Sequence, residues 1–267
     1  MAIDLDRLFS SFAGLVGRAT LSDRDIGNTF CDIMESVVRF DHCVVFAYHG
    51  SERPIDLYST FDASDYEVFV SLYQEGPYLL DPFYRTATIP QSGVFRMREL
   101  APDRFFSSEY FRSYYEKTGL AEEVGFFVPA VGDVTVTLSL MRKASSGAFS
   151  NAEFAALAKA EPLVRALVGH YWQDVEHRFE AASPGRKRWT GGDDVNARVW
   201  SKLNLTGREI AIIELVLQGY SSESIGLQLS IATGTVKVHR RNIYRKLGIS
   251  SQTQLLSLYL ANIREAR

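Results

Sequence analysis

Three residues near the carboxyl end carry the strongest chemical signal. In TGTVKVHRRNIYRKLG (233–248), Lys237, Val238 and Arg241 stand at i, i+1 and i+4, on one side of a helix. Such a face fits a DNA major groove, where Lys and Arg donate to guanine acceptors and Val meets a thymine methyl. Thr233, Thr235, Tyr244 and Lys246 suit phosphate contacts, which position without specifying, and Arg240 and Arg245 add charge to the same surface. Val236, Ile243 and Leu247 recur at helical spacing on the other side and are expected to pack inward. A charge run alone reads more simply as a solvated face. Here it follows a short helix, SSESIGLQL (221–229), and a tight SIA turn, which is the helix-turn-helix plan.

Other chemistries find little support. The sequence has no Gly-rich phosphate loop, no Gly–x–Ser–x–Gly elbow, and no carboxylate pair with a supporting His, so no catalytic residues are assigned. No Cys–x–x–Cys or His–x–x–x–His spacing offers a metal site, and no cofactor is expected. Cys31 and Cys43 fall in apolar patterns and read as small core residues. The start, MAIDLDRLF, lacks the basic and apolar regions of a signal peptide. No run approaches the roughly 18 apolar residues of a membrane span, so a soluble cytoplasmic protein is expected.

The chain has 267 residues, 46% hydrophobic and 23% charged, room for one large domain or two ordinary ones. Its net charge of −3 hides an asymmetry. Residues 200–267 hold nine Lys/Arg against four Asp/Glu, whereas 1–199 hold 20 against 28. The two parts are therefore expected to have different partners.

The elements divide likewise. Helices are expected over 3–17 and 24–40, the second capped by Ser22 or Asp23, then strands at HCVVFAYH (42–49) and IDLYSTF (55–61). A helix over 64–75 precedes GPYLLDPFYRTA, where Gly76, Pro77 and Pro82 break regularity. A strand near 94–97 and a helix over 107–117 follow. EVGFFVPAV and TVTLSLMRK form a hairpin about Gly132–Asp133. A helix capped by Ser150 and Glu153 then runs to about Phe179, with Pro162 as a kink point. ASPGRKRWTGGDD (182–194) reads as linker, and four short helices end the chain. The expected architecture is α+β: an α-β-α sandwich over 1–180 with a mostly antiparallel sheet, a linker over 181–200, and an all-α helix-turn-helix domain over 201–267.

The last domain resembles the DNA-binding domain of LuxR-type bacterial transcription regulators. LTGRE (205–209), LVLQGYSSESIGLQL and GTVKVHRRNIYRKLGISSQTQLL keep that family's spacing without gaps. Gly226 stands where the family usually has alanine, which by propensity costs the helix about 1 kcal/mol. The resemblance implies a third helix that reads double-stranded DNA, a homodimer on an inverted repeat, and contact with RNA polymerase. Leu255, Leu258 and Tyr259 on the fourth helix suit either dimer contact or the domain's own core.

Residues 5–178 resemble the acyl-homoserine-lactone-binding, GAF/PAS-like domain of quorum-sensing regulators. Tyr66, Tyr73, Asp81–Pro82, Val94–Phe95, Thr118–Gly119–Leu120, TLSL (137–140) and Pro162 carry the likeness. It implies a small-molecule effector, with Asp81 accepting a ligand hydrogen bond, Tyr66, Tyr73, Phe83 and Phe95 as walls, and Thr137 and Ser139 facing the ligand from the sheet. Two departures matter: no Trp lies between 1 and 171, and Arg96 follows Phe95. Arg pairs with carboxylates and phosphates in a planar, bidentate way. A small anionic or aromatic metabolite is therefore expected rather than a lactone. Asp81–Pro82 also reads as a helix cap, the tyrosines as core, and Arg96 as half of a salt bridge. The alternative function is a ligand-independent regulator whose first domain serves dimerisation or protein interaction.

Overall fold

A computed structural model describes residues 3–16, 21–89, 91–182, 199–200 and 203–266. Most of the expected 181–200 linker lies outside them. Helices α1 (Leu5–Val16) and α2 (Asp23–Val37) come first, and Ser22 and Asp25 cap α2 reciprocally. Strands β1 (His42–His49) and β2 (Ile55–Ser59) pair next. The crossover segment holds α3 (Ala63–Tyr66), α4 (Pro82–Ala87), β3 (Gly93–Arg96) and α5 (Met97–Leu100). Strands β4 (Leu120–Pro129) and β5 (Val134–Lys143) precede α6 (Asn151–Tyr171) and α7 (Val175–Ala182).

The five strands form an antiparallel sheet in the order β2-β1-β5-β4-β3. Strand period assigns its two faces. Cys43, Val45 and Ala47 of β1, with Val124, Phe126 and Val128 of β4, pack beneath α2, α6 and α7. Val44, Phe46 and Tyr48, with Phe127 of β4 and Met141 of β5, face the crossover segment instead. The result is the expected α-β-α sandwich. Both cysteines are buried and free.

Three helices differ from expectation. The one expected to reach Phe179 stays helical through Pro162 and stops at Trp172, which is buried, stacks on Phe30 at 5.4 Å and donates to Asp23 at 2.8 Å. Burying the indole on α2 forces the chain out of helical geometry there. The helices expected over 64–75 and 107–117 are wound irregularly. Glu67–Leu72 and Phe111–Tyr115 are π-helical, and Phe105–Ser107 and Glu116–Thr118 are 3-10 turns. Wide π turns recur at functional sites, and Tyr114 ties these two together by donating to the Val68 carbonyl at 2.7 Å.

The C-terminal unit comprises α8 (Gly207–Gln218), α9 (Ser222–Leu229), α10 (Thr233–Leu247) and α11 (Gln252–Ala266). Thr206 and Glu209 cap α8 reciprocally, and α8 and α10 end at Gly219 and Gly248 in the left-handed conformation. On α11, Leu255 and Tyr259 are buried within this chain and Leu258 is half-buried. Tyr259 stacks on Trp200 at 5.3 Å.

Gly226 has a reason that propensity misses. A Cβ there would lie 2.7 Å from the Ile231 carbonyl oxygen, in the turn between α9 and α10. Helix propensity alone predicts that Gly226→Ala stabilises by about 1 kcal/mol. The close backbone approach reverses the sign, and overpacking of this kind costs about 1–3 kcal/mol. Thermal unfolding of the variant should show a lower midpoint; a raised one would refute the steric argument.

Candidate functional site

The first candidate surface is α10. Its register places Val236 and Ile243 in the core, with Leu247 half-buried behind them. Lys237, Val238, Arg241, Arg245 and Thr235 are exposed, and the apolar Val238 side chain is 51% accessible. Arg240 is half-buried and donates to Ser222 on α9 at 3.2 Å. Lys246 donates to Glu209 at 2.8 Å, which holds that carboxyl down at about 2. Lys246 therefore fastens α10 to α8, and Arg245 donates to Asn242 at 2.8 Å. Tyr244 is half-buried and its hydroxyl has no partner. Thr233, Lys237 and Arg240 also line a cleft shared with Arg104, Ser107 and Ser108 of the first unit.

Backbone contacts fix the shape of this cleft. Arg104 N–H donates to the Gly219 carbonyl at 3.0 Å, and Ser221 N–H to Asp103 at 3.0 Å. The Arg85 guanidinium lies 5.3 Å from the centre of the Tyr220 ring. A sequence read element by element gives no hint of these long-range contacts.

The second candidate is a cavity between the sheet and the two π-helical segments. Phe46 and Tyr48 of β1, Glu123 of β4 and Ser139 of β5 form its floor. Phe69 and Tyr73 form one wall, Tyr114 and Tyr115 another, and Asp81 and Phe83 close an end. About 430 Å³ of empty space lies among these groups, the open mouth included. Only about 30 Å³ of it has room for the centre of a water molecule, so a larger guest must displace rings. Four expected ligand residues meet here: Tyr73, Asp81, Phe83 and Ser139.

The others lie elsewhere. Tyr66 is 38% exposed beside Asp56, Phe95 packs edge-on against Phe127, and Thr137 is buried on the same sheet face outside the lining. Arg96 does not line the cavity. Its Nη1 donates to Glu122 at 2.7 Å and to the Phe149 carbonyl at 2.8 Å, and its Nη2 donates to the Ser150 carbonyl at 3.1 Å. The guanidinium also covers the Phe154 ring at 4.5 Å. With its donors spent on β4 and the start of α6, the anionic ligand expected from Arg96 does not follow.

Asp81 does two jobs. One carboxylate oxygen caps α4 by accepting from Phe83 N–H at 2.8 Å, and the other accepts from Tyr73 at 2.8 Å. Tyr73 shares a further hydrogen bond with Tyr48. Burial pushes Asp81 up to about 6, against the pull of those two donors. Glu123 accepts from Tyr115 and lies beside Ser139. Burial, with Asp81 nearby, pushes it up to about 8. Sequence reasoning missed Glu123, along with the lining aromatics Phe46, Tyr48, Phe69, Tyr114 and Tyr115. The signal was there: Glu122 and Glu123 are adjacent in a strand, so period-2 alternation sends one of them inward.

Among known proteins, residues 203–259 match the family model for bacterial regulatory proteins, luxR family. A protein described as an HTH-type transcriptional regulator in the exeN 3' region of Aeromonas salmonicida is 32% identical over 188 residues, covering 68% of this chain and 94% of that protein. The chain belongs to the LuxR family. Among solved structures, the VqsR LBD domain of Pseudomonas aeruginosa superposes with a TM-score of 0.51 at 23% identity, over 60% of this chain and 92% of that one. That likeness shows the sandwich fold. Escherichia coli SdiA aligns over 95% of this chain and 97% of its own, with a TM-score of 0.41 at 18% identity. This LuxR-family chain is thus a DNA-binding transcription regulator. Among the described residues no helix is long and apolar enough to cross a membrane, and no group of His, Cys, Asp and Glu could hold a metal.

Proposed function

We propose that this regulator acts in the cytoplasm as a homodimer on an inverted-repeat operator, and that a small molecule bound by its first domain controls DNA binding. Residues 1–180 serve as sensor and dimerisation domain, 181–200 as linker, and 201–267 as the DNA reader. The observation that carries the DNA part is the exposed trio Lys237, Val238 and Arg241 on one side of α10, backed by a buried seam. Two such helices, paired by dimer symmetry, fit successive major grooves about 34 Å apart. The aromatic cavity with its polar end supports the sensor part. Effector occupancy shifts the dimer between DNA-competent and incompetent arrangements, and RNA polymerase is the partner that reads the outcome.

Operator selection with randomised DNA followed by the Arg241→Ala variant tests the reading. The variant should lose preference at one position of each half-site, a loss of about 1–3 kcal/mol there. Uniform weakening across all sequences, with a salt slope reduced by about one, would make Arg241 a phosphate contact instead. Selection that yields no repeated half-site would remove the dimer from the proposal.

A further inference from the structure

The cavity carries two carboxyls and no counter-charge. Asp81 and Glu123 line it together, and none of the described residues that line it is Lys, Arg or His. Every other polar group at hand is a hydroxyl, from Tyr48, Tyr73, Tyr114, Tyr115, Thr118 or Ser139. Buried acids without a cation are costly, and proteins ordinarily pair them. Elsewhere this chain does so: Arg96 meets Glu122 and Arg142 meets Glu153. The exception coincides with the aromatic cavity described above.

A second observation points the same way. Tyr110 is buried, its ring stacks 5.7 Å from Tyr114 in the wall, and its hydroxyl has no hydrogen-bond partner. Asp81 and Glu123 are its electrostatic neighbours. Thr137, two residues along β5 from Ser139 on the same face, likewise has a buried hydroxyl without a partner. Both hydroxyls lie next to the lining and can accept as well as donate, while the lining itself supplies two carboxyls and no cationic donor.

We propose that the effector is a small amphiphilic cation, an ammonium group on an aromatic or alkyl body, whose N–H donors are held between Asp81 and Glu123. The inference rests on the sensor reading above. The ammonium supplies the missing charge and hydrogen-bond donors, while Phe46, Phe69 and Tyr114 cover the apolar body and favour a cation near their ring faces. With Asp81 ionised and Glu123 protonated at pH 7, the pair carries a single negative charge, matched by a monocation.

Three probes of one shape separate charge from hydrophobicity: 2-phenylethylammonium, 2-phenylethanol and phenylacetate, with the octyl series beside them. Each is titrated into the full-length protein at pH 7 by thermal shift and calorimetry. The ammonium member of at least one series should raise the unfolding midpoint and bind about tenfold or more tighter than its alcohol. Asp81→Asn should erase that preference, whereas Glu123→Gln, which leaves the Asp81 charge, should reduce it, both leaving alcohol binding in place. Variants that unfold at the parent's midpoint or above without ligand show that lost preference is not lost folding. Equal or tighter binding of an alcohol or carboxylate overturns the cation and leaves the sensor standing. Binding by no member of either series overturns both.

Discussion

At pH 8 the Glu123→Gln variant unfolds at a higher temperature than the parent chain, and near pH 5 the two coincide. The reason is proton linkage. In the native state burial holds the Glu123 proton up to about pH 8, with Asp81 adding to the effect, whereas an unfolded glutamate releases it near 4.5. Between those values the native state binds more protons than the unfolded one, so stability falls as pH rises. The penalty is absent below the unfolded value and complete above the native one. A tenfold change in proton affinity is worth about 1.4 kcal/mol, so the whole window from 4.5 to about 8 is worth on the order of 5 kcal/mol. Gln removes the titration and keeps an oxygen to accept from Tyr115.

Other groups oppose this trend. Glu153 and Glu209, held near 2 by Arg142 and Lys246, lose stabilisation only as pH falls below about 4.5. His42, lowered by burial, costs stability as pH falls through the imidazole range. The difference between parent and variant is therefore the readout. Urea unfolding at pH 5, 6.5 and 8 measures it, and parallel curves for the two proteins would refute the buried, protonated Glu123.

Arg96→Ala lowers stability by about 3–5 kcal/mol, the usual cost of breaking a buried ion pair from one side. The paired side chains are only 2% and 5% accessible. Removing Arg96 strands the Glu122 carboxylate, which keeps a bond from Phe149 N–H at 2.7 Å and the exposed Arg98 at 3.4 Å. It also takes the donors from the Phe149 and Ser150 carbonyls. The midpoint should drop by about 10 °C. Replacing both partners by apolar residues, Arg96→Met with Glu122→Leu, should recover most of the loss. Effector binding by that double variant should match the parent. A loss of effector binding with stability restored would return Arg96 to the ligand site.

Local patterns were readable where one element decides the outcome. The capping pairs Ser22–Asp25, Ser150–Glu153 and Thr206–Glu209 form within a single turn of chain, and their helices start where those residues stand. Alternation along β5 puts Thr135, Thr137 and Ser139 on one sheet face, and period alone does not say what covers it. The covering segment settles the matter: all three are buried beneath the aromatic crossover. Tyr66 and Tyr73 looked equivalent as wall residues, yet π winding between them turns one to the surface and the other into the cavity.

The sequence by itself determined the basic amphipathic helix α10 and its two sides, the capped helices, the strand alternation and the charge division between the two parts. All of these follow from period and spacing within a few residues. Only the tertiary structure decided that Arg96 serves β4 and α6, that Glu123 joins Asp81 in a cavity without a cation, and that Gly226 makes room for the Ile231 carbonyl. Burial and charge pairing depend on neighbours 5, 26 or 42 residues away, and no local pattern encodes which neighbour arrives.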